Sequence, residues 1–366
     1  MKYLLCALLT IHGLIHLMGF AKAFQLASFD QLHIPISQPL GLLWLAAALL
    51  FVLSAILLVA ALAWWWLPAT VALVISQAVI VTSWNDAKFG TFANLLILVP
   101  VLLAALGHAP WGFRSQYGRD VRAALATAQA PAAPVTEADI AHLPPVVQQY
   151  LRFAGVLGQP RVTNYQLHFS GALRNGPDDA WMAMEADQQS MVDPAERLFF
   201  VDSQMYGIPA NAYHRYSGSS AVFEVQAASL VTLVDARGPE MDQSETVTLL
   251  NDMCLLAPAT LIDPHIRWEE LDAQTVRATF TNADHTVSAI LTFDSSGALT
   301  NFSSDDRWRT IDGKTYEQVR WTTPVSGWER VDGYTMPVAE AHWVLPGGEF
   351  AYGRFEVTHV AYNVGR

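Results

Sequence analysis

"LLWLAAALLFVLSAILLVAALA", Leu42 to Ala63, contains no charged side chain and one hydroxyl, Ser54. A helix on the surface of a soluble protein carries a polar face, and this run has none. It is also longer than the roughly 20 residues a helix needs to cross a hydrocarbon core, so it reads as a transmembrane helix. Three more apolar runs surround it: Tyr3 to Phe20, Ala69 to Trp84 and Thr91 to Gly107, with the central run itself reaching from Leu40 to Trp66. The first, second and fourth fall within the tolerated span of about 17 to 25 residues and the third is marginal. The expectation is a membrane α-helical bundle of four transmembrane helices over residues 1–110. Trp64, Trp65 and Trp66 before Pro68 suit an interfacial anchor and a tight hairpin.

Charge separates this front from the rest of the chain. Of 21 basic and 33 acidic groups in 366 residues, the first 130 residues hold six basic (Lys2, Lys22, Lys88, Arg114, Arg119, Arg122) and three acidic (Asp30, Asp86, Asp120), leaving 15 against 30 behind them. So acidic a rear repels nucleic acid and anionic headgroups, which argues against either as a general partner. Cys6 and Cys254 form no metal-type spacing and no obvious pair.

Lys2 and Ala21-Lys22-Ala23 resemble the ends of a signal peptide, but the apolar stretch is long and a lysine in the cleavage site is unfavourable, so retention is expected. Four basic side chains (Lys2, Arg114, Arg119, Arg122) then share one side and two (Lys22, Lys88) the other, which puts both termini in the cytoplasm. Residues 111–135 read as a juxtamembrane aromatic and basic segment ending in an Ala/Pro linker, Ala128 to Val135. A β-rich soluble domain follows over 136–366.

Thr136 with Asp139 signals a helix start, and "PPVVQQYLRFAG" a short helix stopped by Gly155. From Asn164 the apolar period becomes two, in "YQLHFSGALR", "AWMAMEADQQSM", "RLFFVDSQMYG", "AVFEVQAASLVTLVDA", "TVRATFTNADHTVSAILTFDSSGALTNFSS", "KTYEQVRWTTPV" and "FAYGRFEVTHVAYNV". One interruption, "TVTLLNDMCLLAPATL", reads as an amphipathic helix capped by Asp242 or Ser244 and ending near Pro258. The rear is expected to be an α+β domain, a large curved antiparallel sheet with few helices.

The motifs "IHGLIHLMGFAKAF", "ISQPLGLLW", "SWNDAKFGTFANL", "LLNDMCLLAPATLID", "SSDDRWR" and "DGYTMPVAEAHW" together resemble a family of bacterial membrane proteins of unknown function, over nearly the whole chain. The strand order and the mid-domain helix also look like the LolA-like half-barrel of periplasmic lipoprotein carriers. That resemblance implies a curved sheet wrapped around helices and an apolar cavity. It also implies a periplasmic rear, against the charge count; both readings place the chain in a bacterial inner membrane as a multi-pass protein.

Candidate site residues are few. His12 and His16, four apart on the first helix, share one face; together they offer two metal ligands, or hydrogen bonds to neighbouring helices through Ser76 or Gln77. Four crossings bring the loops at 21–39 and 85–90 to the same membrane face, opposite the rear domain. His16, Gln77, Asp86, Lys88 and Asn94 are thus expected as one polar cluster, with Asp86 and Lys88 as an interfacial pair. "LIDPHIRWEEL" matches no closed metal pattern, and Arg307 and Arg309 alternate with Trp308 as exposed and buried faces of a strand end should. No catalytic residue, metal or cofactor is indicated, and no oligomeric state. The leading expectation is a membrane-anchored binding protein whose rear holds an apolar or amphipathic ligand, lipid or lipoprotein, beside the bilayer. The alternatives are a membrane enzyme or ion- and redox-active bundle using His12 and His16, and a membrane scaffold.

Overall fold

The apolar runs fold into α1 (Lys2–Ala23), α2 (Gln38–Val59), α3 (Trp66–Thr82) and, after the single turn α4 (Trp84–Ala87), α5 (Gly90–Gly107). The computed structural model describes residues 2–129, 133–205 and 208–365, so Ala130, Pro131 and Ala132 of the Ala/Pro linker lie outside the described residues. The chain divides into two units, Met1–Ala109 and Pro110–Arg366. In the first, α1, α2 and α5 are long and apolar enough to cross a membrane, whereas α3 has 17 residues. The second apolar run ends sooner than its composition suggests. Ala61 takes a left-handed φ of 57°, turning the chain before the tryptophans, and Trp66 opens α3.

Small residues let α1 and α2 approach closely. A Cβ at Gly19 would stand 2.2 Å from the Trp44 ring, and one at Gly41 2.3 Å from Ala23 Cβ. The seam between these helices therefore admits only glycine at those positions.

The second unit contains α6 (Phe113–Ala126), α7 (Glu137–Ile140), α8 (Pro145–Phe153) and α9 (Pro239–Leu255). Its strands are β1 (Asn164–Leu173), β2 (Met182–Met191), β3 (Glu196–Met205), β4 (Ile208–Ser217), β5 (Ser220–Ala227), β6 (Val231–Arg237), β7 (Ile266–Asp272), β8 (Thr275–Asn282), β9 (His285–Phe293) and β10 (Leu299–Ser304). The two-residue pair β11 (Trp308–Arg309) and β12 (Glu317–Gln318) precedes β13 (Arg320–Val331), β14 (Tyr334–Leu345) and β15 (Gly348–Tyr362). Thirteen strands form one open antiparallel sheet in the order β6-β5-β4-β3-β2-β1-β15-β14-β13-β10-β9-β8-β7. Two meanders, β1 to β6 and β7 to β15, meet at the β1–β15 ladder. The connection from one free edge to the other, β6 to β7, is α9.

Three expectations on local structure need correction. The run 221–236 is two strands, β5 and β6, because Ala228 and Ser229 turn with φ of 52° and 55°. β4, β7 and β14 carry no strand reading in the sequence. Pro209 and Pro337 argue against central strands at β4 and β14, and "IRWEELD" lacks clean alternation. Finally, α9 begins at Pro239, after Gly238 with φ 101°, so Asp242 and Ser244 lie inside the helix and do not cap it.

The juxtamembrane segment before the Ala/Pro linker is largely helix, α6 ending at Ala126. Phe113, Tyr117 and Ala124 of α6 pack on Leu198, Phe200 and Tyr213, and the Tyr213 hydroxyl donates to Asp120 Oδ2 at 2.9 Å. Even-numbered residues of β3 serve this outer face, and odd-numbered ones point to the concave side.

Candidate functional site

Almost every residue of α9 from Met241 to Leu255 is buried, polar ones included. Val247, Leu250, Met253 and Cys254 join the main core. Met241, Ser244, Glu245, Thr248, Asn251, Asp252 and Leu255, which recur at helical spacing, line a cavity of about 580 Å³, Met241 and Leu255 also touching the core. Its opposite walls are concave-side residues, among them Phe169, Phe199, Val201, Ala212, Phe223, Val225, Ala339 and Phe355. The helix is amphipathic as expected, but its polar stripe meets a ligand-sized space and not solvent. Two tyrosines fix its C-terminal end by donating to carbonyls the helix leaves free: Tyr150 to Cys254 O at 2.5 Å, and Tyr362 to Leu256 O. A smaller cavity of about 210 Å³ beside α8 and Tyr334 has no charged side chain in its wall.

A charged cluster sits along the polar stripe. Arg197 Nε donates to Asp252 Oδ2 at 2.7 Å, its Nη1 approaches Glu245 Oε2 at 3.4 Å and its Nη2 reaches Gln188 Oε1 at 3.3 Å. Gln188 Nε2 completes the set by donating to Asp252 at 2.7 Å. Buried charges persist only when paired in this way. Burial favours a protonated Glu245, but His214, Arg197 and Arg307 outweigh it and hold its carboxyl below the ordinary value. Burial pushes Asp252 up, with Arg197 and Gln188 offsetting part of the effect. Burial drives His214 down to about 4, against the attraction of Glu245. His214 Nε2 lies 3.2 Å from Glu245 Oε1 yet is not aligned for a hydrogen bond to any group.

Arg307, expected on an exposed face, is largely covered, its side chain 12% exposed. Its guanidinium lies 4.1 Å from the Trp321 ring centre and 5.6 Å from that of Trp343, and it bonds to the Thr248 hydroxyl of α9. The segment is held in place where Trp308 N donates to Ser244 Oγ at 2.9 Å. Sequence alternation missed this because β11 is a two-residue excursion over the cavity and not an edge of the main sheet. Asp263 pairs with His265 and Glu269 with Arg277. Among the described residues, no three metal-ligating side chains converge.

In the first unit, four of the six expected site residues come together. His12 Nε2 lies 2.9 Å from Asn94 Oδ1, and His16 Nε2 lies 2.9 Å from Ser76 Oγ. Ser76 Oγ is also 2.9 Å from Asn94 Oδ1, and Asn94 Nδ2 donates to Gln77 Oε1 at 3.0 Å. Gln77 Nε2 ends the chain on Thr91 Oγ1 at 3.2 Å. The other two stand apart: Asp86 Oδ2 accepts from Ile34 N at 2.7 Å, and Lys88 lies over the Phe89 ring at 5.6 Å. Among the described residues no ion pair joins Asp86 to Lys88, since the carboxylate is engaged in bracing the 21–39 loop. The histidines bond to neighbouring helices, through Ser76 for His16 and Asn94 for His12; Ser76 is the member that sequence spacing offered only as an alternative partner.

No curated protein matches the chain. Among solved structures, a DUF1329 family protein from Desulfovibrio piger ATCC 29098 is similar at 12% identity and a TM-score of 0.36, covering 60% of this chain and 93% of that one. A domain from Vibrio parahaemolyticus, bearing the name of an outer membrane lipoprotein-sorting protein, is similar at 10% identity and a TM-score of 0.32, covering 56% and 86%. The family model for DUF6544, a family of unknown function, matches residues 133–355. That span takes in α9 and the sheet as far as the middle of β15, and the chain belongs to the DUF6544 family.

Proposed function

We propose that the chain is a membrane-anchored binding protein whose β-rich unit holds an apolar or amphipathic ligand. The observation that carries this is the cavity of about 580 Å³ between α9 and the concave face of the sheet. It falls within the roughly 300–1,000 Å³ of small-molecule sites, and phenylalanine and aliphatic side chains dominate its far wall. In this reading α1, α2, α3 and α5 all cross the bilayer, with α3 as the short member. The His12, His16, Ser76, Gln77 and Asn94 network holds α1, α3 and α5 together, because each polar group inside a membrane must find a partner. Lipid or a lipid-modified protein is the ligand class that such an anchor keeps within reach.

The test uses full-length protein in lipid nanodiscs and an alkyl chain carrying a photoreactive diazirine. Cross-links are expected in peptides containing Phe199, Phe223 and α9, and are expected to vanish in Ala212→Trp and Ala339→Trp, which fill the cavity. Labelling confined to residues 1–109, or unchanged by both tryptophans, would sink the reading.

A further inference from the structure

The lining of the cavity is uneven in charge, and the unevenness runs against the unit that contains it. Of the chain's 21 basic and 33 acidic groups, Pro110–Arg366 holds all but three of the former and all but two of the latter, hence 18 against 31. Yet the cavity wall includes four guanidinium groups, Arg174, Arg197, Arg307 and Arg309, against three carboxylates.

Those carboxylates are already engaged. Asp252 is taken by Arg197, Glu340 by Arg354 at 2.8 Å and His342 at 3.0 Å, and Glu245 lies among Arg197, His214 and Arg307. The nearest carboxylate to Arg307 is Glu245 at 3.7 Å, and its buried Nε has no hydrogen-bond partner. Among the described residues Arg174 donates only to carbonyls, Ala351 O at 2.7 Å and Pro177 O at 2.6 Å, and so does Arg309, to Asn175 O at 3.1 Å. Glu317, opposite Arg309 in the β11–β12 ladder, makes no ion pair with it among the described residues. Arg309 bonding to Asn175 places it beside Arg174, and Arg307 precedes it by two residues in the same extended segment. Among the described residues, three guanidinium groups without a carboxylate at hydrogen-bond distance thus line the same cavity.

We propose that the cavity takes a single-chain amphiphile with an anionic head, the head bound by Arg307 with Arg174 and Arg309 and the chain lying along the phenylalanine wall. This rests on the binding reading above. Guanidinium is the group best matched to carboxylate and phosphate oxygens, and Arg307 is already oriented by its tryptophans and Thr248. Carboxylate and phosphate share this chemistry, so a fatty acid and a lysophospholipid-type phosphate monoester are its two sources.

The experiment compares three photoreactive probes with the same tail and a carboxylate, phosphate monoester or alcohol head, on full-length protein in neutral-lipid nanodiscs. At least one anionic probe is expected to label cavity peptides at a concentration about tenfold lower than the alcohol does, as a charge-assisted hydrogen bond predicts. Which of the two does so identifies the source. Arg307→Gln is expected to remove that preference and Arg174→Gln to reduce it, and melting temperatures check that both variants fold. Equal labelling by all three heads in the unaltered protein, which needs no variant, would overturn the anionic-head proposal and leave the cavity reading standing. So would a preference that survives in both folded variants. Absence of labelling by every probe would overturn the binding reading itself.

Discussion

Arg197 Nε stands 2.7 Å from Asp252 Oδ2, joining β3 to α9 across the inside of the sheet with both side chains 7% exposed. Removing one partner leaves the other buried and uncompensated. Arg197→Met is therefore expected to lower stability by about 3–5 kcal/mol. Denaturant unfolding of the full chain in detergent, followed by tryptophan fluorescence, measures it. A loss below about 1 kcal/mol would mean that water or a rearranged Gln188 replaces the pair.

The pH profile should carry the mark of His214. Its folded value of about 4 lies below the ordinary 6.5. Between these values the unfolded chain binds a proton that the folded one refuses, so stability is complete above about pH 6.5 and falls as pH drops towards 4. The shift corresponds to roughly 3 kcal/mol. Glu245, held below its ordinary value, adds a loss only at lower pH, below about 4.5; Asp252, shifted up, acts with the opposite sign above 3.8. His214→Gln should flatten the profile between pH 6.5 and 4.5 in thermal melts. An unchanged slope would assign it to another group.

Gly19 should resist any side chain. A methyl there would lie 2.2 Å from the Trp44 ring, and overpacking of this kind costs about 1–3 kcal/mol. Gly19→Ala is expected to lower the melting temperature of the full chain, and Trp44→Ala combined with it to restore part of the loss. Additive losses would show that the two do not meet.

The polar network predicts a modest, distributed effect. Asn94→Leu removes the acceptor shared by His12 and Ser76 and should cost about 0.5–2 kcal/mol in detergent-titration unfolding, the scale of hydrogen bonds between membrane helices. Ser76→Ala should cost a similar amount, and the pair less than the sum, because one chain of bonds is lost either way.

The proposal that α1, α2, α3 and α5 all cross the bilayer makes a prediction independent of absolute orientation. Single cysteines near the N-terminus and near the C-terminus should be labelled from the same side of the membrane, and one at Ser28 from the other. Opposite labelling of the two ends would mean that α3 does not cross.

Much of the architecture is legible in residue patterns, and the failures have physical causes. The apolar runs locate α1, α2 and α5 because long stretches without a polar face favour continuous helix, and period two exposes β1, β8, β9 and β15. β4 and β14 are hidden because their prolines lie within the sheet, where local propensity argues against a strand. In the bundle, helical spacing brings His12 and His16 to one face and topology brings Gln77 and Asn94 near them, but a hydroxyl such as Ser76 gives no periodic signal. The cavity is the least legible part. Arg197 on β3, Asp252 on α9 and Arg307 before β11 are distant in sequence, and each reads alone as a surface charge. Only the stripe of polar residues on α9 marks them, since burial all round a helix with Glu245 and Asp252 on it requires partners elsewhere in the fold.

The crossover by α9 has a mechanical side. The helix leaves β6 after a single residue, Gly238, and its 17 residues span about 25 Å before the chain continues to β7. An open sheet would ordinarily be free to flatten at its two outermost strands. Here those strands are the ends of a bow and α9 is its string. The girth available to a ligand is a covalent dimension of the chain, because the residues between the end of the string and β7 are themselves wound into a short, mostly buried helix, Pro258–Ile262, and hold no slack.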